Sequence, residues 1–198
     1  MNKLVLLALL ALALPITAFA SSGIDFTNNG GTLTGSSAGL SLSGSELSVI
    51  NGLTPTKLTG DLGTLSFTTG SFVTGDVQNG GTFMGGGSFQ IVSNTYGTLF
   101  TGSFDCTTAC TWALTTLSNG THFYTLTGGL TGTWKGGNSA FGATIQLTIN
   151  TGKSLFSGST SISSGDTNIN VVPEPGSLTL LGTGLVGLAG VIRRKLNA

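Results

Sequence analysis

Between Ala143 and Asn150 the chain alternates without a break. Ala143, Ile145, Leu147 and Ile149 are apolar, and Thr144, Gln146, Thr148 and Asn150 are polar. Successive side chains of a β-strand point to opposite faces, so this period of two predicts a strand with one buried and one wet face. No segment of residues 21–171 carries a convincing apolar period of 3.6, whereas period-two stretches are common there. His122, Tyr124 and Leu126 share one face of 121–127, with Phe123 and Thr125 on the other. Trp112 pairs in parity with Leu114, and Leu130 with Trp134. Further strands are expected at 40–50, 64–68, 72–77, 88–93 and 98–104. In the first of these the apolar parity shifts from Leu40 and Leu42 to Leu47 and Val49, which a bulge near Gly44-Ser45 would absorb.

Turn chemistry then limits how such strands connect. Asn29-Gly30, Asn79-Gly80 and Asn119-Gly120 suit the positive φ angles of tight hairpin turns. Gly128-Gly129 and Gly136-Gly137 suit them by lacking Cβ. Asn29-Gly30-Gly31-Thr32-Leu33 recurs as Asn79-Gly80-Gly81-Thr82-Phe83, which reads as a repeated hairpin. From 98 to 150 the pattern predicts a five-stranded meander. Strands spaced by about 8–12 residues favour an all-β fold, an antiparallel β-sandwich or barrel of hairpins and a meander.

Composition excludes whole classes of function. Residues 21–171 hold Lys57, Lys135 and Lys153 against Asp25, Glu46, Asp61, Asp76, Asp105 and Asp166, a balance of −3. That is too sparse and too negative to hold nucleic acid. The 33 glycines and the many Thr and Ser would suit disorder, but regularly placed Phe, Leu, Ile and Trp argue for a folded domain. Cys106 and Cys110 lie between two expected strands, and outside the cytoplasm such a pair forms a disulfide clamping a hairpin tip. The loop it closes is short, so its contribution falls below the roughly 3 kcal/mol of a fifteen-residue loop.

Chemistry-bearing motifs are thin. Gly35-Ser36-Ser37-Ala38-Gly39 fits the nucleophile-elbow pattern around Ser37, but no helix follows as that motif requires. His122 is the single histidine and sits mid-strand, where packing is the ordinary role. Gly182-Thr183-Gly184-Leu185-Val186-Gly187 has the dinucleotide spacing without a following βαβ unit or acidic residue, so its glycines fit a membrane helix better. Asn119-Gly120-Thr121 matches a glycosylation acceptor. Asp25, Asp61, Asp76, Asp105 and Asp166 mostly adjoin turn residues, where capping is the default. No catalytic residue, metal ligand or cofactor is assigned. Trp112, Tyr124 and Trp134 on adjacent expected strands are the candidates for an aromatic platform under sugar rings, with core packing as the alternative.

The two ends carry addresses. Lys3, an apolar stretch over 4–14 and Ala18-Phe19-Ala20 form a secretory signal peptide, residues 1–20, cut by signal peptidase before Ser21. At the other end stand Val172-Pro173-Glu174-Pro175, then an uncharged apolar run over 178–192, then Arg193-Arg194-Lys195. The prolines fix φ and hold the tetrapeptide extended, the run enters a membrane, and the cations stop it on the cytoplasmic side. As a helix the run spans ~22 Å against a hydrocarbon core of about 30 Å, which makes a poor permanent anchor.

This order of parts resembles the PEP-CTERM sorting tail of exported bacterial proteins. The resemblance covers 172–195 and implies recognition by an exosortase, a membrane peptidase-transferase, with Val172, Pro173, Glu174 and Pro175 as the sorting signal and Arg193, Arg194 and Lys195 as the stop. It implies passage through the inner membrane, a transient C-terminal membrane anchor, and a final place on the cell surface or in the extracellular matrix. A plain tail anchor is the alternative. The chain is thus expected to hold a signal peptide (1–20), an all-β extracytoplasmic domain (21–171) and a sorting tail (172–198). Because such proteins accompany exopolysaccharide production, the resemblance implies a non-enzymatic surface or biofilm-matrix role, with exopolysaccharide as a partner. A carbohydrate-binding module is the second reading, and a two-carboxylate hydrolase the third.

Overall fold

The computed structural model describes residues 22–107, 110–137 and 139–171. The expected signal helix and membrane segment, with the sorting tetrapeptide and basic cluster, lie outside the described residues. Among the described residues twelve strands follow one another: β1 (Ser22–Ser36), β2 (Gly39–Asn51), β3 (Leu58–Thr59), β4 (Gly63–Thr68), β5 (Phe72–Asp76), β6 (Gly80–Phe83), β7 (Gly86–Ser93), β8 (Gly97–Asp105), β9 (Cys110–Thr116), β10 (His122–Trp134), β11 (Ser139–Gly152) and β12 (Ser159–Val171). The fold is all-β, and every pairing is antiparallel.

Eight of these strands close on themselves in the order β1-β2-β4-β7-β8-β10-β11-β12, so the architecture is a barrel, the second of the two expected forms. The last strand enters between β11 and the first, and completes the ring. Closure pairs both edges of the wall, which an open sandwich would leave exposed. Strand β3 adds a short rung to β2, while β9, β6 and β5 continue outward from β10 as a branch.

The alternation decides what lies inside. Ala143, Ile145, Leu147 and Ile149 are buried, and Thr144, Gln146 and Asn150 are exposed, as their parity predicts. Phe67 of β4, Phe89 of β7, and Phe100 and Phe104 of β8 fill the interior. Phe104 makes edge contacts with Phe67, Phe89 and Phe83 at 5.5–6.0 Å between centroids. Each such ring contributes about 1.5–3 kcal/mol by leaving water. Thr32, Thr64, Thr68, Ser88, Thr101 and Thr131 face outward. A barrel set in lipid has the reverse polarity, apolar outside and polar within.

Several turns are where the dipeptides place them. Asn79-Gly80 joins β5 to β6, Asn119-Gly120 joins β9 to β10, and Gly136-Gly137 joins β10 to β11. The bulge expected near Gly44-Ser45 is present, as a register shift between Leu42 and Ser45 against β4. A second shift, where Thr27 and Asn28 face Val49 and Leu47, returns the parity so that Ile50 rather than Val49 is buried.

Two glycine pairs are not turns. Asn29-Gly30-Gly31 lies inside β1 as a bulge, with φ of +63° and +76° at its glycines, so its likeness to Asn79-Gly80-Gly81 is not a structural repeat. A Cβ at Gly31 would meet the Ser45 nitrogen at 2.6 Å, so β1 folds closely over β2 there. Gly128-Gly129 lies inside one continuous β10. A Cβ at Gly128 would come within 2.9 Å of the Phe104 ring, and one at Gly129 within 2.8 Å of the Asp105 oxygen. These glycines serve close approach, at the point where β10 changes partners. Its residues 122–127 pair with β9 and its residues 129–134 with β8. The segment 98–150 is therefore a fork and not a five-stranded meander.

The same fork changes the meaning of the disulfide. Cys106 and Cys110 are bonded, with their Cα atoms 5.1 Å apart. They close no hairpin tip, because β8 and β9 pair with β10 and not with each other. The bond instead ties the chain where it leaves the barrel wall for the branch, and Cys110 is fully buried there.

Candidate functional site

The aromatic candidates come first, because their position decides a function. Trp112, Tyr124 and Trp134 are 1%, 0% and 9% exposed. Trp112 and Tyr124 do stack, at 5.1 Å and 19°, but the stack points inward. Phe156, from the segment between β11 and β12, closes over both rings at 5.9 and 6.1 Å. Trp112 Nε1 donates to the Val77 carbonyl at 2.9 Å, and the Tyr124 hydroxyl donates to that of Gln78 at 2.6 Å. Trp134 packs against Phe26 instead, at 6.2 Å. The expected sugar platform is thus corrected to a structural hub. Its rings face the core because β9 and β10 turn their apolar parity inward, and no ring face is left for a saccharide.

Ser37 occupies the turn between β1 and β2, with β2 beginning at Gly39. That is a hairpin, not the strand-to-helix bend a nucleophile elbow needs. A recess of about 280 Å³ beside this turn is lined by Thr34, Gly35, Ser36, Ala38, Gly39, Leu40, Ser41, Thr68 and Thr69. Its lining bears no charge. His122 is half-buried at the start of β10, and its Nδ1 lies 2.9 Å from the Thr116 hydroxyl of the neighbouring strand.

The carboxylates mostly cap turns. Asp76 accepts from the Asn79 side chain at 2.9 and 3.1 Å and from the N–H groups of Asn79 and Gln78, and these bonds hold its carboxyl below the usual range. Asp105 accepts from the Thr107 N–H at 3.1 Å, and Asp61 from the Asn94 amide at 3.2 Å. Asp25 and Asp166 differ. They sit on the outer faces of neighbouring strands, diagonally and two register positions apart, since Asp25 faces Asn168 and Thr27 faces Asp166. Partial burial, then repulsion from Asp166, pushes the Asp25 carboxyl up, and Lys57 partly offsets this. The pair stands on an open convex wall, where a glycosidase would need a cleft around the sugar. Among the described residues no group of three or more His, Cys, Asp or Glu is placed to hold a metal.

What remains is the point where the wall hands over to the tail. Val171 ends β12, opposite Ser22 of β1 on one side and Ala140 of β11 on the other. The first and last described residues of the chain are therefore neighbours. The expected signal-peptidase cut before Ser21 and the tetrapeptide Val172-Pro173-Glu174-Pro175 adjoin the same pair of strands. Among the described residues no helix is long and apolar enough to cross a membrane.

Residues 171–195 match the family model of the PEP-CTERM protein-sorting motif. No curated protein and no solved structure matches the chain. The chain carries this motif, and the motif implies export and exosortase-dependent sorting.

Proposed function

We propose that a barrel which ends directly in an exosortase sorting motif serves as a non-catalytic protein of the cell surface or of the biofilm matrix around exopolysaccharide. The observation that carries this reading is the junction itself, where the matched motif begins at the last residue of β12. The wall supports it. The interior is occupied by packed rings and aliphatic side chains, and the exterior presents hydroxyls and amides to water. Three of the scattered carboxylates, Asp61, Asp76 and Asp105, are engaged at turns and loops. The alternative of a carbohydrate-binding module loses its named residues, since Trp112, Tyr124 and Trp134 are in the core.

In this reading signal peptidase frees Ser21, the tail over 178–192 holds the chain at the inner membrane for a time, and the exosortase removes it. The Thr- and Ser-rich outer wall then meets exopolysaccharide or carries glycan. Intact mass of protein from separated inner-membrane and surface fractions tests the proposal. A product from Ser21 to near Pro175, found outside the inner membrane and enriched with exopolysaccharide, is the expected result. Added mass on that product would identify glycan. An intact C-terminus at Ala198 confined to the inner membrane, with exosortase present, would overturn it.

A further inference from the structure

The sorting motif leaves almost no slack between the barrel and the cut. Only Val172 separates the end of β12 from Pro173. At 3.3–3.6 Å per extended residue, Val171 to Pro175 spans at most about 14 Å. An enzyme that cuts or transfers a peptide holds it as an extended strand, through main-chain hydrogen bonds and pockets for alternate side chains. The residues just before the tetrapeptide are already used that way by the barrel. Ile169, Asn170 and Val171 face Ile24, Gly23 and Ser22 across the β1 ladder, and Ile169 is fully buried. The closed wall and an occupied enzyme cleft compete for one stretch of backbone.

We propose that the end of β12 is a latch on processing. The sorting enzyme acts on chains in which residues 169–171 are out of the wall, and closure of the barrel withholds the junction from it. The order of the chain makes this a matter of timing. Strand β1 is exported first, whereas β12 arrives last and has to enter between β1 and β11. The hold on the β11 side is interrupted, because the register shifts between Ala140 and Thr144. The last residues of β12 are thus the part of the closing strand best placed to open locally, as strand ends do most readily. The inference rests on the sorting reading above and adds what regulates it.

The test follows C-terminal shortening of the full chain, by intact mass over time, in cells that contain the exosortase. One variant carries a Gly-Ser-Gly-Ser-Gly-Ser insertion between Val171 and Val172. It supplies extended chain beyond the wall and leaves the barrel untouched. The latch predicts that it is shortened about fivefold faster or more, the factor that one modest opening step withholds. A second variant, Ser22→Cys with Val171→Cys, staples the latch, since facing strand residues fall within disulfide reach. It should be shortened several-fold more slowly until a reductant is added, with the parent chain under the same reductant as control because it has its own disulfide. Equal rates for parent and insertion, or undiminished shortening of the stapled chain, overturn the latch. So does slower shortening of the insertion, which would make the folded rim part of the recognised surface. If parent and insertion both keep Ala198 while the enzyme shortens another tailed protein, the sorting reading itself falls, and the latch with it.

Discussion

The Tyr124 hydroxyl donates to the Gln78 carbonyl at 2.6 Å and accepts from the Phe156 N–H at 3.0 Å. One buried oxygen thereby ties β10 to the β5–β6 turn and to the segment before β12. Tyr124→Phe keeps the ring and removes both bonds, leaving the Phe156 N–H without an acceptor. Such a loss costs about 1–3 kcal/mol. Urea denaturation should show the midpoint fall with an unchanged slope. A loss under about 0.5 kcal/mol would mean that the hydroxyl does not hold these elements together.

Gly128→Ala distinguishes a strand from a turn. In the continuous β10 the added methyl meets the Phe104 ring at 2.9 Å and Cys110 Sγ at 3.1 Å. Overpacking of this kind costs about 1–3 kcal/mol. A solvent-facing turn at the same place would tolerate the change, so thermal unfolding of this one variant separates the two arrangements.

Thr167 is fully buried, and its hydroxyl has no protein partner. Val has the same shape without the polar atom. Thr167→Val should therefore raise stability, by about 1 kcal/mol, through removal of an unsatisfied buried group. Asn28 is the neighbouring case on β1, but its amide donates to the Ser45 hydroxyl at 2.7 Å, so Asn28→Ala should destabilise. Opposite signs at the two positions, read by denaturant midpoint, are the expected outcome.

Asp25 gives the barrel a pH-dependent limb. Its carboxyl is pushed up by partial burial and then by Asp166. An acid whose pKa is higher in the folded state opposes folding while ionised. That opposition is full above the folded pKa and gone below the ordinary carboxylate value. Asp25→Asn should therefore stabilise the protein at neutral pH, and the gain should vanish as pH falls through that window. Asp76 has the reverse sign, since its carboxyl is held low by Asn79 and Gln78. Asp76→Asn should lose stability at neutral pH and match the parent in strong acid. Melting curves across pH 2.5–7 would check both.

Much of the wall was legible because alternation is a local property. The inward and outward residues of β11, and the shared faces of Trp112 with Leu114 and of Tyr124 with Leu126, follow from parity alone. Strands β1 and β12 were not legible, for reasons visible in their residues. In β1 the Asn29-Gly30-Gly31 bulge imitates a turn and breaks the alternation. In β12 the inward positions between Ile162 and Ile169 are Gly165 and Thr167, which carry no apolar signal. Alternation also says which residues share a face without saying which face is the core. Around Trp112 and Tyr124 neither face bears a charge, and an exposed platform and a buried hub had the same signature. The sorting tetrapeptide was legible for the opposite reason, since its rigidity, apolar run and basic stop are all written in sequence order. That β12 runs directly into it depends on pairing with Ser22, some 150 residues away, which no local pattern encodes.

The outward hydroxyls have a consequence for the setting in which the barrel can hold its shape. The whole chain has only seven basic and seven acidic side chains. Thr68 and Ser88 on the outer wall, and Thr74 and Thr82 on the branch, are linked across neighbouring strands by hydrogen bonds of 3.0 and 2.8 Å between neutral groups. Dissolved ions screen charges within about 8 Å at physiological ionic strength, but they have little purchase on such links. The cohesion of the wall should thus be nearly the same in fresh water and in brine, and an exported protein meets whichever of these surrounds the cell.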